Sequence, residues 1–175
     1  TTVSKMADIP REQAKTINLG LFYGMGKAKL QAELGVSKEK AEELFAQYHA
    51  KVPFVKQLMK SVSNRAQQRG QIRTLLGRLC RFHLWEPNRF GINKALPFEQ
   101  AVQEHGQGNI RRAYTYKALN KLIQGSAADM TKKSMLDLYK EGIIAHIQIH
   151  DELDLSVESP EQAKKVVEIM ENAVK

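Results

Sequence analysis

The stretch AHIQIHDELDLSV, residues 145–157, departs from the helical spacing that governs most of the chain before it. Ala145, Ile147 and Ile149 alternate with His146, Gln148 and His150, and Leu153, Leu155 and Val157 alternate with Asp154 and Ser156. Period 2 on both sides of a tight centre predicts an antiparallel hairpin over residues 144–157 with one buried face. Its tip falls at or beside Asp151 and Glu152. Just after it, Ser159 reads as an N-cap with Pro160 at the first helical position, opening a last helix with Ala163, Val166, Val167 and Met170 inward.

Before the hairpin, a long helical stretch is expected over residues 109–139. The small residues Gly125, Ser126, Ala127 and Ala128 interrupt it or let another backbone approach closely. Residues 86–108 hold Pro87, Pro97, Gly91, Gly106 and Gly108 and read as a long loop. Residues 71–85 suggest short extended segments. The first 70 residues read as four helices: 11–23, 27–34, one N-capped by Ser37 with Ala41, Leu44, Phe45 and Tyr48 on one face, and one over 54–69 stopped by Gly70. The chain is therefore expected to be α+β.

The 175 residues carry 27 basic and 19 acidic side chains, a net charge of +8. Such a surplus favours a polyanionic partner, nucleic acid above all, although a merely basic soluble protein has the same composition. The single cysteine, Cys80, cannot form an intrachain disulfide. No run of apolar residues is long enough to span a membrane, and residues 1–10 lack the order of a signal peptide, so a cytoplasmic location is expected.

Two constellations carry chemistry. In REQAKTINLGLFYG, residues 11–24, Arg11 and Lys15 lie one helical turn apart with Tyr23 further along. Like charges at i,i+4 repel, so this arrangement makes sense if something anionic with a flat ring lies on that face. At the hairpin tip, Asp151 and Glu152 also repel. A hard divalent cation such as Mg²⁺ would offset that repulsion, and a solvated turn would tolerate it. Gln148 and His150, on the polar side of the first strand, build a polar platform beside the acids.

These strings resemble DNA polymerase family A. REQAKTINLGLFYG is similar to the fingers-helix motif, with Arg11, Lys15, Asn18, Tyr23 and Gly24 at the matching places. TLLGR, residues 74–78, and ALNKLIQGSAAD, residues 118–129, resemble two segments that meet primer–template, and QIHDE, residues 148–152, resembles the third palm motif. The resemblance implies a mostly helical fingers subdomain (1–70), a fingers-to-palm connection with a long loop (71–108), and a C-terminal palm portion with an antiparallel β-hairpin and flanking helices (109–175). The activity it implies is DNA-directed DNA synthesis from a dNTP. Arg11, Lys15, Leu19 and Tyr23 would then bind the nucleotide, with Lys15 also a general acid. Arg78, Asn120, Gln124, Gln148 and His150 would contact DNA. Asp151, with Glu152 nearby, would hold metal in a site that takes two Mg²⁺ when complete.

Three departures qualify the resemblance. The upstream motif with the other metal-binding aspartate is absent, so the chain is expected to be a fragment or half of a split polymerase. Alone it is expected to be inactive and to need the N-terminal palm and thumb in cis or as a partner. Leu19 stands where the family usually carries Phe or Tyr, as in some phage members, which points to a bacterial or phage-infected cell. Residues 85–108 are longer than in short bacterial forms. The rival classes are a non-catalytic nucleic-acid-binding module and a metal-dependent nuclease, the latter needing more clustered acids than Asp151, Glu152 and Asp154.

Overall fold

The computed structural model describes residues 10–89, 91 and 93–174. These divide into two compact units. The first holds the described residues up to Ile72 together with Arg81–Asn120, and the second holds Arg73–Cys80 and the chain from Lys121 onward.

The first unit opens with α1 (Arg11–Phe22), α2 (Lys27–Leu34), α3 (Lys38–Lys51) and α4 (Pro53–Arg69). Their boundaries follow local chemistry. Gly24 takes φ 91° just past α1, a conformation in which a side chain would be strained. The Ser37 hydroxyl accepts from Lys40 N at 3.2 Å and caps α3. Pro53 stands at the start of α4, where its missing N–H costs nothing. Ala14, Ile17 and Leu21 of α1 pack with Leu30, Leu44 and Tyr48 into one core. Each large aliphatic side chain buried there stabilises the unit by about 1.5–3 kcal/mol.

Residues 85–117 differ from the expected loop and helix. Strand β3 (Trp85–Pro87) pairs antiparallel with β4 (Ile110–Arg112), and α5 (Phe98–His105) lies between them in sequence. The cause is aromatic. The Trp85 ring meets Phe98 at 5.0 Å and carries the Arg112 guanidinium at 4.5 Å, while Leu96 and Ala101 are buried. These contacts join residues far apart in sequence and outweigh the prolines and glycines that suggested irregular chain. A 3₁₀ turn (Thr115–Lys117) follows Tyr114, whose φ of 61° ends β4. The long helix α6 (Ala118–Lys140) therefore starts at Ala118, well after the expected residue 109.

Strands β1 (Gln71–Arg73) and β2 (Leu79–Arg81) pair on either side of the loop that carries TLLGR. In the second unit, β5 (Ile147–Ile149) and β6 (Glu152–Asp154) form the expected antiparallel hairpin. A two-residue turn, His150–Asp151, joins them, and His150 takes φ 52°. The register corrects the expectation of one apolar face. Ile149 stands opposite Glu152 and Ile147 opposite Asp154, while Gln148 stands opposite Leu153. Residues directly opposite share a face, so the isoleucines and the leucines point to different sides. Leu153 and Leu155 pack on Leu138, Ile143 and Val166, whereas Ile147 and Ile149 are exposed. On α7 (Pro160–Asn172), capped by Ser159, Ile169 packs inward and Val167 is exposed, the reverse of the expectation for Val167.

Candidate functional site

In the first unit the site residues stand on α1. At 3.6 residues per turn, Arg11, Lys15, Leu19 and the cap residue Tyr23 advance by about 40° at each step and form one stripe. Ala14, Ile17 and Leu21 occupy the opposite side and are buried. The core therefore fixes the helix rotation and turns Arg11 and Lys15 to solvent. Among the described residues, no acidic side chain pairs with either cation. Leu19 is 46% exposed, an apolar side chain beside two charges. Tyr23 is half-buried, its ring edge-on to Phe22 at 5.3 Å. Asn120 is also exposed in this unit, near the start of α6.

In the second unit Asp151 and Glu152 are exposed at the hairpin tip. Gln148 Nε2 donates to the His150 carbonyl at 2.6 Å and braces the positive-φ turn from which Asp151 projects. Asp151 lines a pocket of about 230 Å³ with Thr131 and Ser134 of α6 and Met170 and Glu171 of α7. The two acids offer the hard oxygen donors that Mg²⁺ prefers. Among the described residues no group of three or more His, Cys, Asp or Glu gathers to hold a metal, so these two could do so only with oxygens from elsewhere.

Arg78 and Gln124 also belong to this unit. Gln124 is exposed on α6. Arg78 Nε donates to Asp129 Oδ1 at 2.7 Å and Nη2 donates to the Gly125 carbonyl at 2.8 Å. The Leu75 amide donates to Ser126 Oγ at 3.0 Å. A Cβ on Gly125 would lie 2.8 Å from Thr74 Cγ2, so glycine permits the loop to lie directly on the helix. Asp129 is buried, and the Thr74 hydroxyl and the Arg78 guanidinium hold its carboxyl below its usual range against the opposing effect of burial. The close approach at Gly125 was legible in the run of small residues. The parts played by Thr74, Ser126 and Asp129 were not, and the one available signal was a carboxylate at the end of that run.

A cationic stripe on a helix of one unit and a carboxylate-tipped hairpin in the other are residue types shared by the broad class of proteins that handle polyphosphates and hard cations. Comparison narrows the class. A family profile for DNA polymerase family A matches residues 1–175. The chain is 33% identical over 202 residues to a DNA-directed DNA polymerase of Pseudomonas phage M6, covering 96% of this chain and 27% of that protein. It is 35% identical over 175 residues to DNA polymerase I of Geobacillus stearothermophilus, covering 94% of this chain and 18% of that protein. Among solved structures, the POL domain of Pol1 from M. smegmatis, in complex with DNA primer-template and dNTP, matches with a TM-score of 0.71 and 27% identity, covering 99% of this chain and 30% of that one. The chain belongs to DNA polymerase family A. It spans less than a third of the length of these relatives. No helix among the described residues is long and apolar enough to cross a membrane.

Proposed function

We propose that this chain supplies the fingers (1–70), the connection (71–108) and the C-terminal part of the palm (109–175) for template-directed DNA synthesis. In the reaction, the primer 3′-oxygen bonds to the α-phosphorus of a dNTP and the bond to pyrophosphate breaks. Most of the barrier is electrostatic and positional. Arg11 and Lys15 would face the triphosphate, and Lys15 would donate a proton to the departing pyrophosphate. Leu19 and Tyr23 would lie against the sugar and base. Arg78, Asn120, Gln124, Gln148 and His150 would line the primer–template. Asp151 and Glu152 would hold Mg²⁺ together with substrate oxygens and the family's upstream aspartate, supplied from outside these 175 residues. The two ions of a complete site would stabilise charge on the attacking and leaving oxygens.

The observation that supports this reading most is the stripe on α1, where the two cations of the motif point away from the core. Binding of a labelled primer–template across a salt series tests it. Affinity is expected to fall linearly in log–log form as phosphate contacts release counterions. Binding that ignores salt would count against it.

A further inference from the structure

The loop from Thr74 to Arg78 is unusually well fastened for exposed chain. Within it, Thr74 N donates to the Arg78 carbonyl at 3.0 Å, Arg78 N to Thr74 Oγ1 at 3.1 Å and Gly77 N to the Thr74 carbonyl at 2.9 Å. Arg73 Nη1 donates to the Gly77 carbonyl at 2.9 Å. Outside it, Ser126 Oγ donates to the Leu122 carbonyl at 2.7 Å while accepting from Leu75 N, so the hydroxyl is oriented at both ends. At the centre lies Asp129, with its side chain 6% exposed and facing Arg78, whose own side chain is 46% exposed. A guanidinium has five N–H donors. Nε and one donor of Nη2 go to Asp129 and Gly125, which leaves the outer edge of a fixed plane open to solvent. The second carboxylate oxygen, Oδ2, is buried without a well-formed hydrogen bond, so Arg78 is the counter-charge that makes this buried group tolerable.

We infer that Asp129 is a positioning residue for primer–template binding. It holds the Arg78 guanidinium in one plane, so that the outer edge meets a DNA phosphate without first losing side-chain freedom. The inference rests on the reading that Arg78 faces primer–template. Immobilising such a side chain on binding costs conformational entropy, and a fork held in advance avoids most of that cost.

The sign of one substitution separates this from a charge effect. Asp129→Asn removes a negative charge, and electrostatics alone would then tighten binding to a polyanion. The positioning role predicts the opposite, a loss of about 3–10-fold in primer–template affinity. Arg78→Ala should lower the magnitude of the salt slope by about one, as for a lost phosphate contact. In the Arg78→Ala background, Asp129→Ala should cause no further loss of DNA affinity. This double variant leaves no buried charge and keeps the comparison usable if Asp129→Asn folds poorly.

Tighter or unchanged binding by folded Asp129→Asn overturns the inference. So does an Asp129→Ala loss that persists undiminished without Arg78. If the unsubstituted chain binds no primer–template, the functional reading falls instead, and amide exchange at Leu75 and Gly77 then decides the positioning claim. Exchange accelerated by Asp129→Asn, with α1–α3 unchanged, supports it, and unchanged exchange overturns it.

Discussion

The two groups of cations in this chain are held in different ways. Arg11 and Lys15 stand on a regular helix whose rotation is set by three buried neighbours, Ala14, Ile17 and Leu21. Arg78 stands on a short loop and is aimed by Asp129, 51 residues away in sequence. In the first case the backbone gives the direction and the side chains keep their freedom. In the second a buried carboxylate fixes the guanidinium itself. The arrangement suits two tasks. On the proposed function, the helical cations, unpaired among the described residues, would follow a mobile dNTP through the reaction, and a guanidinium already in place would meet a duplex backbone.

The difference is sharpest in what each cation does when removed. Lys15→Ala, in a family A polymerase whose corresponding segment is replaced by these 175 residues, should slow single-turnover nucleotide addition by about 10²–10⁴-fold, the usual range for a proton donor. Duplex DNA affinity should barely change, and an unaltered rate would remove Lys15 from the chemistry. No stability change is expected, because Lys15 is exposed and packs against nothing in the core.

Arg78→Ala should instead cost stability. Breaking a buried ion pair costs about 3–5 kcal/mol, but the half-exposed guanidinium lowers that figure to about 1–3 kcal/mol. Urea unfolding reads the loss, and Arg78→Ala with Asp129→Ala should recover part of it. A change of similar size is expected for Gly125→Ala, whose Cβ must displace Thr74 Cγ2 from 2.8 Å. Overpacking of this size costs about 1–3 kcal/mol. Equal stability would show that the loop lies on α6 more loosely than these distances imply.

Acid should separate the two units more gently. Burial and the nearby charge of Lys56 depress the pKa of His49 in the first unit from 6.5. The unfolded chain takes up that proton first, so stability is full above about pH 6.5 and declines below it. Asp129 in the second unit is depressed from 3.8. Its contribution is present above that pH and is lost only as pH falls through the lower folded value. Unit-resolved amide exchange from pH 7 to 3 should therefore show the helical unit weakening first, and His49→Phe should flatten its response.

The same contrast explains what the sequence disclosed. The α1–α4 boundaries were legible because Ser37, Pro53 and Gly70 act on their own neighbours. The hairpin and its acidic tip were legible from alternation. Its facing was not, because a two-residue turn sets Ile149 against Glu152 whatever the polarity of either strand. Residues 85–117 were misread because Trp85, Leu96, Phe98 and Arg112 organise them across gaps no local pattern spans. The Arg78–Asp129 pair was hidden for the same reason. Arg11, Lys15 and Asp151 were singled out by their motifs, and the structure adds that all three face solvent.

On the proposed function, this chain carries the nucleotide-facing helix and a metal-holding carboxylate of a DNA polymerase. Primer extension by the hybrid polymerase, with all four dNTPs and Mg²⁺, tests it most directly when an Asp151→Ala form is run beside it. Templated extension by the unsubstituted hybrid is expected, with a loss of about 10²-fold or more in Asp151→Ala, since a displaced metal ligand removes transition-state charge stabilisation. Equal extension by the two forms would contradict it.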